Sequence, residues 1–282
     1  PLRSPLPPPS SLPPSEPIAI IGLAGRYPMA EDLEAFWDNL QAGRDCITEI
    51  PRSRWDPGTS AFKWGGFLEG IDQFEPRVFN LSPREAELMD PQERLFLETA
   101  WHALEDAGYG GKALKGRRVG VFVGVMWGQY ALLGVEETLK GNPLAPMSFA
   151  SSISNRVSYF FDLHGPSLSL DTMCSSSLTA LHLACESLRR GECEQALVGG
   201  VNLMLHPSKY LFLSENRMLA SDGRCRAFGE GGEHEVPVRQ RLRSRQPHVA
   251  LLLFERFLGS SKSVLCLKHL HGAGPGAGHQ RV

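Results

Sequence analysis

None of the six cysteines, at positions 46, 174, 185, 193, 225 and 266, is spaced Cys-x-x-Cys, and none falls in a His/Cys cluster at zinc-ligand spacing. No metal site is therefore expected, and a reduced, cytoplasmic setting fits best. Long apolar runs are missing as well. The stretch 249–254 in the tail is far short of the ~20 residues that a bilayer span requires, and no basic start followed by an apolar segment marks a secretory signal. Neither sign of charge dominates: 29 Lys+Arg against 31 Asp+Glu leave a formal net charge of −2. No membrane partner is expected on these grounds, and no nucleic-acid partner is assigned either. No internal repeat is evident. The 42% hydrophobic content and 282 residues suffice for a sizeable core.

The first 17 residues hold 8 of the 21 prolines with serine between them, which builds neither a helix nor a central strand and reads as an extended linker. A preceding segment is expected before it. From residue 18 on, strand and helix patterns alternate, as in an α/β domain. Residues 18–23 read as a short strand, and Leu33, Phe36, Trp37 and Leu40 as one face of a helix stopped near Gly43. Residues 44–88 are rich in proline and glycine and are expected to form turns and short pieces over the rim of a site. Asp90 suits a helix cap, Pro91 a first turn and Glu93 a capping-box-like position, with Leu97, Trp101, Leu104 and Ala107 on one face before Gly108. Residues 118–125 read as a buried strand, 149–162 as a helix and 196–205 as a further buried strand whose Gly199-Gly200 allows close backbone approach.

The run Ser167-Leu168-Ser169-Leu170-Asp171-Thr172-Met173-Cys174-Ser175-Ser176-Ser177 is the most informative segment. Leu168, Leu170 and Thr172 fall on one face of a strand and Ser167, Ser169 and Asp171 on the other, after a break at Gly165-Pro166. The period then changes. Leu178, Leu181, Cys185 and Leu188 follow at helical spacing, with Arg189, Arg190 and Gly191 closing the helix. Cys174 thus stands at a strand-to-helix turn, where unpaired amides and the helix dipole favour a thiolate and can hold an oxyanion. From position alone, a buried and inert cysteine remains an equal alternative.

The wider text decides between them. The Asp-Thr-x-Cys-Ser-Ser-Ser run resembles the active-site motif of β-ketoacyl synthase (ketosynthase) domains of modular polyketide synthases. The resemblance begins at Pro17-Ile18-Ala19-Ile20-Ile21-Gly22 and continues through Lys63-Trp64-Gly65-Gly66-Phe67, Phe79-Asn80-Leu81-Ser82-Pro83-Arg84 and Met89-Asp90-Pro91-Gln92-Glu93-Arg94. It then takes in Asn155-Arg156-Val157-Ser158-Tyr159 and Gly199-Gly200-Val201-Asn202-Leu203, and ends at Ser221-Asp222-Gly223-Arg224-Cys225-Arg226-Ala227-Phe228-Gly229-Glu230-Gly231-Gly232. The motifs cover residues 17 to 232 in order.

Past Gly232 the resemblance stops, and the family's second half, which carries two condensing histidines, is not matched. Residues 233 to 282 hold 8 Lys+Arg against 3 Asp+Glu, whereas residues 1 to 232 hold 21 against 28. Arg239, Arg241, Arg243 and Arg245 alternate with other residues, and the end is glycine-rich. Such a basic tail also marks nucleic-acid binders, but a shifted reading frame or abnormal splice, leaving text not selected to fold here, accounts for it without a partner. His271-Gly272-Ala273-Gly274 is superficially similar to a histidine motif of the family yet lies in low-complexity text, so His271 is not assigned a catalytic role. His279, His164 and His182 also fall outside the positions of the family's catalytic pair.

The resemblance implies a thiolase-like layered α/β fold, with an amino-terminal half followed by an incomplete or aberrant carboxy-terminal half. It implies acyl transfer to Cys174 from a thioester on the phosphopantetheine arm of an acyl carrier protein, then decarboxylative Claisen condensation with a malonyl-type thioester. Cys174 is the nucleophile and its backbone N–H an oxyanion donor; Met173 shapes the acyl pocket. No cofactor is bound by the domain itself. A homodimer is expected through the strand that leads into Cys174. Asn155, Asp222 and Arg224 are assigned structural roles. The alternative is an inert fragment that at most dimerises or binds a carrier protein. A cysteine or serine hydrolase is disfavoured, since no local His/Asp relay accompanies the elbow.

Overall fold

The computed structural model describes residues 17–224 and 262–269, apart from positions 59, 61, 111, 112, 217 and 221. The proline-rich linker up to residue 16, Ser221 and Cys225 of the last family-like motif, the alternating arginines, His271 and His279 lie outside the described residues. The elements run in the order β1 (Ile18–Arg26), α1 (Leu33–Gln41), β2 (Thr48–Glu49), β3 (Trp64–Gly65), α2 (Pro83–Leu88), α3 (Pro91–Asp106) and β4 (Val119–Gly124). There follow α4 (Tyr130–Leu139), α5 (Ala150–Phe161), β5 (Ser167–Leu170), α6 (Ser176–Arg189), β6 (Gln195–Gly200), α7 (Ser208–Glu215) and β7 (Lys262–His269).

Among the described residues, five strands form the main sheet in the order β1-β7-β6-β4-β5. β4 runs parallel to both β5 and β6, and β7 runs antiparallel to both β6 and β1. Alternation along each strand sorts side chains between two layers. Val119, Val121, Val123, Leu197, Val264 and Cys266 pack toward α3 and α5, with Leu97, Ala100, Val157 and Phe161. Phe122, Ala196, Val198 and Leu267 pack toward α6, against Ala180, Ala184 and Leu188. The all-buried β4 follows from this, because a strand covered on both faces has no place for a solvated side chain.

The tail contributes to the sheet, which sequence reasoning did not foresee. Residues 262–269, taken to belong to text not selected to fold here, form a strand between β1 and β6. The physical reason is local: Val264-Leu265-Cys266-Leu267 is apolar on both faces, as a central strand requires. Val264 and Cys266 are fully buried and Leu267 is 2% exposed.

Other differences are smaller. The strand expected over 196–205 ends at Gly200, where its pairing with β4 and β7 ends among the described residues. Two side-chain amides replace it: Leu203 N–H donates to Gln92 Oε1 at 3.0 Å and Leu205 N–H to Gln129 Oε1 at 3.1 Å. Asp90 caps α3 as expected, accepting from Gln92 N–H at 2.8 Å. Glu93, however, turns away from the cap to accept from Ser152 Oγ at 2.5 Å and Arg156 Nε at 3.0 Å. Its side chain is 1% exposed, so the carboxylate is neutralised by partners on α5 rather than by water. The true capping box is at Ser82 and Glu85, where the Glu85 carboxylate is held below its usual range by hydrogen bonds from Ser82. Residues 44–88 form turns, the short β2–β3 pair and α2, and pack through Ile50, Trp55 and Phe67 against Tyr210 of α7.

Candidate active site at the β5–α6 elbow

The strand β5 is built by its serines as much as by its leucines. Ser167 Oγ donates to Asn155 Oδ1 at 2.8 Å and accepts from Ser158 Oγ at 3.1 Å, while Ser169 Oγ donates to Ser154 Oγ at 3.0 Å. The polar face of the strand is therefore the one covered, by α5. Leu170 packs with Phe122 and the α6 layer, while Leu168 is 46% exposed. β5 pairs with β4 alone and forms an edge of the sheet among the described residues.

Past Leu170 the chain makes a tight elbow. Met173 adopts φ 58°, in the left-handed region, at a cost of about 1–3 kcal/mol for a side chain of this kind. Asp171 Oδ1 accepts from Met173 N–H at 2.7 Å. Ser176 Oγ accepts from Thr172 N–H at 2.9 Å and donates to the Met173 carbonyl at 2.6 Å. Cys174, half-buried, comes two residues before the first helical residue of α6. Ser175, at the N-cap, does not turn its hydroxyl onto the first-turn amides; it donates back to the Thr172 carbonyl at 2.9 Å. The helix start thus lacks the side-chain cap that Ser at this position ordinarily supplies, and the Ser176 N–H is taken up by the Met173 carbonyl at 3.1 Å.

The elbow sits close on the sheet because two glycines permit it. A methyl group at Gly124 would stand 2.6 Å from Ser177 N, and one at Gly200 would collide with Ser177 Oγ. These glycines end β4 and β6, so the start of α6 rests on the carboxyl ends of two parallel strands, the usual place for a site in such a sheet. The approach expected at Gly199-Gly200 occurs at Gly200, with Gly124 as its unforeseen counterpart.

The remaining residues fall as follows. Met173 is 60% exposed. A cavity of about 580 Å³ is lined by residues that include Asn80, Glu93, Asn155, Arg156 and Phe160 rather than by the elbow. Asn155 holds Ser167, and Asp222 Oδ1 accepts from Arg224 N–H at 2.9 Å while Arg224 pairs with Asp45. His182 is exposed on α6, and His164 pairs with Asp162 at the surface. Sequence reading passed over His206, whose Nε2 lies 2.8 Å from Glu136 and whose Nδ1 accepts from Ser208 N–H at 3.1 Å. It also passed over Ser176, whose identity as one of three adjacent serines gave no sign of which one grips the elbow. The thiols of Cys46, Cys185 and Cys193 are pushed up, chiefly by burial, and that of Cys266 is pushed up to about 12 by burial. Among the described residues no group of three His, Cys, Asp or Glu side chains is placed to hold a metal ion, and no helix is long and apolar enough to cross a membrane.

Comparison with known proteins gives the family. The family model described as "Beta-ketoacyl synthase, N-terminal domain" matches residues 15–234. The chain belongs to the β-ketoacyl synthase family. It is 60% identical over 232 residues to the polyketide synthase ThaG of Burkholderia thailandensis, covering 78% of this chain and 4% of that protein. It is 54% identical over 241 residues to the polyketide synthase PksL of Bacillus subtilis, covering 79% of this chain and 5% of that one. Among solved structures, the oxazolomycin ketosynthase domain OzmH KS7 of Streptomyces albus matches with a TM-score of 0.76 and 49% identity, over 90% of this chain and 42% of that one. The ketosynthase from module 6 of the bacillaene synthase of Bacillus subtilis matches with a TM-score of 0.74 and 39% identity, over 90% of this chain and 40% of that one. The thiolase-like α/β fold expected of a ketosynthase is thus the fold found, and the chain spans less than half of each solved ketosynthase.

Proposed function

We propose that this chain carries the acyl-acceptor site of a polyketide-type ketosynthase, with Cys174 as the nucleophile. The observation that carries the reading is the elbow itself: a left-handed residue held by Asp171 and Ser176, a half-buried thiol after it, and a helix start without a side-chain cap. In the first step the Cys174 thiolate attacks the carbonyl of an acyl chain borne on the phosphopantetheine arm of an acyl carrier protein. The Cys174 backbone N–H donates to the oxyanion; the carbon–sulfur bond to the arm breaks and the arm's thiol takes a proton. In the second step a malonyl-type thioester loses carbon dioxide, its carbanion attacks the acyl group on Cys174, and the cysteine thiolate leaves. The reading assigns the first step to the matched residues and the second to a partnership with the family's condensing histidines, which the resemblance does not place among residues 17 to 232.

Met173 borders the acyl path in this reading, and β5 pairs with its symmetry mate in a homodimer, in the cytoplasm. No cofactor is bound by the domain, and neither nucleic acid nor membrane takes part. Residues 233–282 are read as text foreign to the family, from a shifted frame or abnormal splice, in which the eight residues of β7 nevertheless satisfy the sheet. An uninterrupted frame across this junction in many independent transcripts would overturn that origin.

Incubation of the purified chain with an acyl-pantetheine thioester, followed by intact mass measurement, tests the site. A single acyl adduct that Cys174→Ala abolishes is the expected result. The absence of any adduct beyond that of the mutant favours the second reading, an inert fragment that at most dimerises or binds a carrier protein; the exposed edge of β5 is the observation that keeps this reading in view.

A further inference from the structure

Three adjacent serines follow Cys174, and the structure gives each a different task. Ser175 turns back to Thr172, its Oγ lying 2.9 Å from both the carbonyl and Oγ1 of that residue. Ser177 is wedged against Gly124 and Gly200. Ser176 alone holds both sides of the left-handed residue: its hydroxyl accepts from the N–H before Met173 and donates to the carbonyl after it, and its own N–H donates to that same carbonyl at 3.1 Å. The side chain is 5% exposed, so these two bonds have no competition from bulk water.

We propose that Ser176 is the positioning residue for Cys174: its hydroxyl locks Met173 in the left-handed conformation and so aims the thiol at the start of α6. The argument is one of backbone geometry. The direction of the Cys174 side chain follows from the dihedrals of Met173, and a methionine left to itself relaxes out of φ 58° toward the right-handed or extended regions. Such relaxation swings residue 174 away from the first-turn amides. Asp171 supports the same conformation from the other side through Met173 N–H, but it is exposed, and its single bond spans only one flank of the strained residue. The hydroxyl of Ser176 closes the loop on both flanks.

This assignment rests on the Cys174 reading, and the test separates the two. Iodoacetamide alkylation of Cys174, read by peptide mass, reports the aim of the thiol without requiring an acyl pocket, whereas the acyl-pantetheine adduct reports the proposed activity. In Ser176→Ala the alkylation rate is expected to fall about tenfold, because a thiol turned from the helix start loses thiolate character. Adding Met173→Gly to that variant supplies a residue that takes φ 58° without strain, and it is expected to restore the rate at least about threefold. A merely structural role for Ser176 predicts no such rescue. Asp171→Ala, at an exposed position, gives a second variant should Ser176→Ala lower the folded yield, and a smaller loss in the same direction is expected of it. Alkylation of Ser176→Ala at the wild-type rate or faster, or a double variant no faster than the single one, overturns the assignment. A wild-type chain that alkylates at Cys174 but takes no acyl group sinks the acyl-acceptor reading and leaves the positioning role standing.

Discussion

Two strands of one sheet stand in opposite relation to the family resemblance. β5 lies inside the matched segment, leads to Cys174, and sits at an edge with Leu168 46% exposed. β7 lies outside the matched segment, carries none of the site, and sits in the interior of the sheet with ladders to β1 and β6. Position in a sheet is set by how many neighbours a strand can satisfy, not by how specific its sequence is. Short apolar text suffices for β7. In the proposed reading, the strand that leads to Cys174 must instead end in a turn, hold a strained residue, and keep one side open. Stability and function are therefore expected to be separable between the two strands, and variants in each should tell them apart.

The largest effect is expected in β7. Cys266 pairs across to both Gly22 and Leu197, so proline there removes a donor and clashes within a two-sided ladder, at a cost of about 3 kcal/mol or more. Loss of cooperative unfolding in urea, followed by circular dichroism, is the expected outcome for Cys266→Pro. Leu267→Ala, which empties a site 2% exposed beside Phe122 and Ala184, is expected to cost about 2–5 kcal/mol in the same measurement. A chain that unfolds with wild-type stability in both variants would mean that the sheet does not need β7, and the contrast with β5 would collapse.

Gly124 sharpens the comparison because it joins the two regions, pairing with Leu170 of β5 on one side and Gly200 of β6 on the other. Gly124→Ala pushes a methyl group against the backbone of Ser177, for an expected loss of about 1–3 kcal/mol. Acylation of Cys174 should fall more than this stability loss alone explains, since the elbow moves with α6. A measured acylation rate equal to that of wild type would place the elbow free of the sheet.

A titration gives a smaller effect, confined to β7. Burial raises the Cys266 thiol from 9.0 to about 12, so the folded state keeps the proton that the unfolded chain releases. The stability this represents is fully present below pH 9 and is lost between pH 9 and about 12, at about 1.4 kcal/mol per pH unit. Urea unfolding at pH 8 and pH 10 should therefore show a fall in the wild-type chain that Cys266→Val, with nothing to titrate, does not show at that position. Equal falls in both would place the thiol in contact with water.

The same contrast explains what could be read from the sequence. The β5 elbow was legible because the change from period two to helical spacing and the Asp-Thr-x-Cys-Ser-Ser-Ser text are both local. β4 was legible because an unbroken apolar run needs no partner to be recognised. β7 was not, since Val264-Leu265-Cys266-Leu267 is too short to choose strand over helix by periodicity and sits beyond the matched motifs. The end of β6 at Gly200 and the diversion of Glu93 to Arg156 depend on long-range partners, Gln92 and Gln129 in the first case and α5 in the second. The role of Ser176 lay in a choice among three identical neighbours that only the turn geometry makes.

The smallest effect on stability is expected at Leu168, and it bears on what an edge strand is for. Its side chain is 46% exposed and its neighbours Ser167 and Ser169 hold β5 to α5 through hydroxyl bonds that do not involve it. Leu168→Arg should therefore change the unfolding free energy by less than about 0.5 kcal/mol, the range of an ordinary surface substitution. The same substitution sets a charge beside the unpaired edge, the device by which sheet proteins prevent strands from joining. If β5 pairs with its mate in a homodimer, Leu168→Arg brings two such charges together across a two-fold axis, and sedimentation should show dissociation with the monomer still folded. Dissociation without unfolding assigns the edge to assembly and the centre to stability. An unchanged oligomeric state would move the dimer contact off β5, and a destabilised monomer would show that the edge, like β7, serves the fold first.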